Sequence, residues 1–127
     1  MKIRITVGKL AMMAELNDTE TARKIATALP IRSSFNTWGD EIYFSVPVEA
    51  RLDDSARETV ELGDLGYWPS GRAFCIFFGP TPVSPPGSIV PASAVNVIGK
   101  VFGDATQFKS AMNERQVVVE MAGEAPL

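Results

Sequence analysis

Apolar residues in this chain come in short runs, several of period two, and glycine, proline or a polar cluster interrupts them about every ten residues. Lys2 to Val7 sets Ile3, Ile5 and Val7 on one face and Lys2, Arg4 and Thr6 on the other, which predicts a half-buried strand. Gly8-Lys9 invites a tight turn, and Leu10 to Leu16 reads as the antiparallel partner. Ile31 to Phe35 continues the pattern, as do the run holding Ile42, Phe44 and Val46 and the run "AFCIFF" from Ala73 to Phe78. Val95 to Val101 and Gln116 to Met121 complete it. About seven to nine short strands result, and a sheet of that many short strands must bury one face on itself, so the expectation is a barrel or a sandwich.

Two segments have helical spacing instead. After an N-cap at Asp18 or Thr19, Ala22, Ile25, Ala26 and Leu29 share one face of a helix from Glu20 to Leu29, and Pro30 stops it. Asp104 and Gln107 have capping-box spacing ahead of a stripe of Ala105, Phe108, Ala111 and Met112.

At 127 residues, 46% hydrophobic and 21% charged, the chain reads as one globular domain spanning 1–127. A net charge of -3, with its Lys and Arg scattered, argues against nucleic acid as a partner. The chain has no histidine, which excludes Ser-His-Asp and Cys-His nucleophilic machinery. No spacing suits a metal site, no glycine-rich phosphate loop precedes a helix, and no cofactor is expected. Lys2, Arg4, Lys9 and Glu15 interrupt the first apolar segment, so it reads as neither a signal peptide nor a membrane span, and the cytoplasm is the expected location.

The segment from Gly63 to Gly87, "GDLGYWPSGRAFCIFFGPTPVSPPG", holds five of the ten glycines and five of the nine prolines, which bound the apolar run on both sides. Phe74, Ile76 and Phe78 are expected in the core, and Cys75 is expected to be a buried, inert thiol. Tyr67 and Trp68 are adjacent, so on a strand they face opposite ways. In "YWPSGR" Pro69 fixes φ and Gly71 is the expected left-handed residue. "GPTPVSPPG" cannot be a central strand, because proline removes ladder donors. It is read as a stiff connection that either seals the barrel or forms a preorganised rim.

A second group lies at "WGDEIYF". With Ile42 and Phe44 facing the barrel interior, Glu41 is expected to be an ordinary solvated carboxylate. A pocket on the opposite face would instead make it an isolated acid beside aromatics, with a raised pKa. Asp40 is expected to cap the turn, and Asp53-Asp54 reads as surface within the polar stretch "EARLDDSARE".

The order of hairpin, capped helix and strand in "NDTETARKIATALPIRSSFN" resembles the start of a cyclophilin. "WGDEIYF", "GDLGYWPSGRAFCIFFGPTP" and "PASAVNVIGKVFGD" resemble a family of small prokaryotic cyclophilin-like (TM1367-like) proteins of unknown function. That resemblance implies a mainly β fold: a closed eight-stranded antiparallel barrel with a short helix at each end. It carries no established activity. Ser33, Ser34 and Phe35 match the cyclophilin "SSF", but Asn36 and Thr37 follow where the prolyl isomerases carry His-Arg, and their Gln-Gly-Gly signature is replaced by "WGDEIYF". A looser echo, Arg72 followed by Phe77 and Phe78, has Pro80 in place of the glutamine and reads as coincidence.

The sequence therefore points to a binding module that holds a small molecule or short peptide, without prolyl isomerase activity. Its site would be an aromatic, proline-rich rim made by Trp38, Glu41, Tyr67, Trp68, Arg72, Phe77, Pro80 and Thr81, with Arg72 as the anchor. No catalytic residue is assigned. The alternatives are a diverged peptidyl-prolyl isomerase using another arginine, and a structural homo-oligomer assembled through a sheet edge or the aromatic rim.

Overall fold

The computed structural model describes residues 1–123. Ten strands form one antiparallel sheet: β1 (Lys2–Val7), β2 (Leu10–Leu16), β3 (Ile31–Ser34), β4 (Asn36–Thr37), β5 (Glu41–Ser45), β6 (Ala56–Arg57), β7 (Asp64–Trp68), β8 (Ala73–Phe77), β9 (Val95–Val101) and β10 (Gln116–Met121). Their order is β3-β10-β1-β2-β9-β7-β8-β5-β4, with β6 added beside β9. β3 and β4 are successive halves of one strand that bends at Phe35. The first half pairs with β10 and the second with β5, so this strand brings the two ends of the sheet together. With β3 and β4 taken as one stave and the two-residue β6 set aside, eight staves remain, which reconciles the expected count with the ten segments.

The period-two pattern of β1 sets the inside of the barrel: Ile3, Ile5 and Val7 are fully buried, and they join Ile42, Phe44, Leu65, Tyr67, Phe74, Ile76 and Phe78 in one interior cluster. Phe44 and Phe74 stack with centroids 5.1 Å apart. Helix α1 (Glu20–Ala28) is capped by Thr19, whose hydroxyl accepts from the Ala22 N–H, and it adds Ala22 and Ile25 to the interior. The second helical segment is a 3-10 helix, Ala105–Ala111. Its cap bonds Asp104 to the Thr106 N–H rather than closing a capping box with the Gln107 side chain, and Phe108 packs on Phe78 at 5.9 Å. No helix of the described residues is long and apolar enough to cross a membrane.

Two local expectations need correction. "EARLDDSARE" is polar but not simply a surface excursion, because a buried network ties it down. Fully buried Asn96 accepts from the Asp53 N–H at 2.9 Å and donates to the Arg51 carbonyl and the Thr21 hydroxyl, and that hydroxyl donates to Asp53 at 2.8 Å. In the "YWPSGR" turn the left-handed residue is Arg72, with φ 47°, and not Gly71. Glycine is needed at 71 for another reason: a Cβ there would lie 2.6 Å from the ring of Trp68.

Candidate functional site

The outer face of the barrel carries a second apolar cluster, and the site sits beside it. In the β5–β8 pairing Glu41 lies opposite Phe77, Tyr43 opposite Cys75 and Ser45 opposite Ala73, so these six side chains share the face away from the interior. Val60, Ala73, Cys75, Phe77 and Val95 form the cluster, with Tyr43, Trp68 and Ile89 packed against it. This is why "AFCIFF" is apolar throughout. Phe74, Ile76 and Phe78 fill the barrel, while Cys75 and Phe77 are buried by the chain between β8 and β9.

That covering segment is held by its own hydroxyls. The Ser84 hydroxyl accepts from the backbone N–H groups of Thr81 and Val90, both at 2.9 Å, and Thr81 donates to the Val90 carbonyl. Two backbone bonds then latch it to the β4–β5 turn: Asp40 N–H to the Pro80 carbonyl and Phe78 N–H to the Asp40 carbonyl, both 3.0 Å. The Asp40 carboxylate lies 3.7 Å from the Lys109 ammonium.

Between this segment and the sheet lies a pocket of about 270 Å³, lined by Trp38, Glu41, Tyr43, Trp68, Cys75, Pro91, Ala92 and Val95. Trp68 is fixed from two sides, because its indole N–H donates to the Ser93 hydroxyl at 2.6 Å and its ring lies over Gly71. Glu41 is 6% exposed, and burial away from water pushes its carboxyl up to about 7, against a smaller lowering by a hydrogen bond from the Cys75 thiol. The same surroundings hold the fully buried Cys75 thiol well above its ordinary pKa, through burial first and the neighbouring Glu41 second. A thiol so placed remains protonated near neutrality and is a poor nucleophile.

Ile42 and Phe44 do face the interior, and Glu41 is nonetheless not a solvated carboxylate. The expectation failed because it treated the outer face of β5 as open to water, whereas the segment after β8 folds back over it. Of the residues singled out for the rim, Trp38, Glu41 and Trp68 come together in the pocket, and Phe77 lies in the apolar cluster beside it. Tyr67 does not join them: it faces the interior, is fully buried and donates its hydroxyl to the Val48 carbonyl. Arg72 is on a different surface, its guanidinium 3.2 Å from Glu49 at the edge of a polar groove that also includes Lys24 and Asp53. Its backbone is left-handed, and it does not line the aromatic pocket. Pro80 is exposed, and Thr81 is a buried staple of the covering segment. Tyr43, Cys75, Pro91, Ala92 and Val95 complete the lining and were not among the expected residues. The alternation of β5 already placed Tyr43 on the face of Glu41, but no local signal brings Pro91 and Ala92 across to it.

The cyclophilin-like family model matches residues 1–120. The chain belongs to the cyclophilin-like family. It is similar to a hypothetical protein from Archaeoglobus fulgidus known from its solution structure, with 44% identity, a TM-score of 0.79, and 96% of this chain and 95% of that one covered. It also shares its fold with part of McbB, solved in complex with tryptophan, at 18% identity and a TM-score of 0.68. That match covers 98% of this chain and 46% of McbB. No curated protein matches the chain.

Proposed function

We propose that this cyclophilin-like protein is a binding module whose ligand, a small molecule or the side chain of a short peptide, occupies the pocket between Trp38, Tyr43 and Trp68. The observation that carries this reading is Glu41: a nearly buried carboxyl, raised to about 7, opening into an aromatic pocket rather than into an ion pair. Core packing has no use for such a group, since burying a carboxyl without a cation costs free energy, whereas binding sites hold perturbed acids where a ligand meets them. The hydroxyl staples of the covering segment preorganise the wall, which lowers the entropy lost on binding.

Prolyl isomerase activity is not part of this reading. Twisting the prolyl bond has a barrier of about 18–20 kcal/mol, and lowering it requires a donor aimed at the amide nitrogen in the twisted state. The pocket lining holds no arginine, and Arg72 is engaged with Glu49 elsewhere. A thermal-shift screen of small polar and aromatic compounds, run on the protein and on Trp38→Ala, tests the binding reading. Hits that raise Tm by several degrees in the former and are lost in the latter support it. A screen whose hits persist unchanged in Trp38→Ala places binding elsewhere, and a protease-coupled assay showing fast prolyl turnover restores the isomerase.

A further inference from the structure

The pocket's walls and its single acid specify the chemistry of an occupant. Glu41 is the one carboxylate among the lining residues, and no lysine or arginine lines the pocket with it. Among the described residues the ion pairs all lie elsewhere: Lys100 with Glu61 and Asp64, Lys109 with Asp40, and Arg72 with Glu49 are the ones on neighbouring elements. The counter-charge for Glu41 is therefore not supplied by the fold. Around it stand three aromatic rings, Trp38, Tyr43 and Trp68, and aromatic faces attract cations, tryptophan most strongly. Trp68 has already given its N–H to Ser93, so what it contributes to the pocket is ring surface and not a donor.

We propose that the pocket binds an organic cation, an ammonium bearing methyl or methylene groups, with its charge toward Glu41 and its carbon surface against Trp38, Tyr43 and Trp68. This rests on the reading of the pocket as a binding site and adds the class of ligand. A metal ion does not fit, because hard cations need several oxygen ligands and no cluster of three acidic or metal-binding side chains occurs among the described residues. An anion would meet the carboxyl. The volume, about 270 Å³, is at the small end for ligand sites and suits one headgroup rather than a folded partner. A free amine and a methylated lysine on a peptide share this chemistry.

Binding of a cation favours the ionised carboxyl, so affinity rises with pH through about 7 and binding releases a proton below that point. The other titratable groups lining the pocket are Tyr43 and Cys75, and the Cys75 thiol, raised well above its ordinary value, stays neutral throughout. Asp40, next in the chain, is engaged with Lys109.

Isothermal titration with three probes tests the proposal: choline, its uncharged isostere 3,3-dimethylbutanol, and a short peptide carrying trimethyllysine. At least one of the two cations is expected to bind about tenfold or more tighter than the isostere, and more tightly above pH 7 than below. Glu41→Gln should erase that preference, and Trp68→Leu should weaken all three probes. Choline binding as well as the peptide assigns the site to free amines, and a clear preference for the peptide assigns it to a modified protein. An isostere that binds as well as both cations overturns the cation while leaving the pocket a binding site, as does failure of all three probes when the thermal-shift screen returns Trp38-dependent hits. Tight choline binding unchanged in both variants places the cation site elsewhere and also overturns the proposal.

Discussion

Glu41 carries a cost that the rest of the molecule must offset. Its carboxyl titrates near 7 when folded and near 4.5 in the ordinary range. Below the lower value both states are protonated and the group contributes nothing to pH dependence. As pH rises from 4.5 toward 7 the unfolded chain ionises first, so the folded state loses stability across that window and the loss is constant above it. The displacement corresponds to a loss on the order of 3 kcal/mol. Glu41→Gln should therefore match the wild type below the window and be more stable above it by roughly that amount. Urea denaturation at both ends reads the difference, and a variant whose stability relative to the wild type is the same at both ends would show that Glu41 is solvated in the native protein. A residue kept at such a cost is better explained by function than by packing.

Among the elements, β8 does the most, because it is buried on both faces. Its alternation divides Phe74 and Ile76 from Cys75 and Phe77, and the first residue beyond it, Phe78, lies inside against Phe108. Phe78→Ala should cost about 3–5 kcal/mol, as deletion of a fully buried phenyl ring does. Val83, 55% exposed in the covering segment, should cost no more than about 0.5 kcal/mol when changed to alanine. Chemical denaturation of the two variants side by side decides this, and comparable losses would mean that the covering segment is core and not a lid on the outer face. The expectation that "GPTPVSPPG" is a stiff connection follows from proline chemistry alone; that Ser84 staples it to Val90, and that Ile89 beyond it packs on the cluster holding Cys75, follows from contacts with residues outside that motif.

At the scale of the molecule, two apolar clusters share one sheet, the interior and the outer face meeting across β8. Both tryptophans line the outer pocket, so their fluorescence reports that face, while far-UV circular dichroism reports the barrel. Because β8 and β9 hold both clusters, the two signals should change together in a denaturant titration, as in a two-state transition. A fluorescence change that precedes loss of the strands would show that the covering segment undocks by itself.

The barrel was legible in the chain because a strand's alternation is local: Ile3, Ile5 and Val7 show their inward face without reference to any other segment, and Thr19 caps its helix from three residues away. The family motifs carried the same information. The site was legible only in part. Trp38, Glu41 and Trp68 stood out as residue types, yet whether Glu41 met water depended on where a segment some fifty residues later comes to rest. Arg72 shows the converse, since nothing in "SGRAF" reveals that its backbone is left-handed or that its guanidinium pairs with Glu49. Alternation tells a side chain which face of the sheet it is on. Only the packing of distant segments decides whether that face is solvent or interior, and burial is what moves Glu41 from a surface carboxylate to an acid titrating near neutrality.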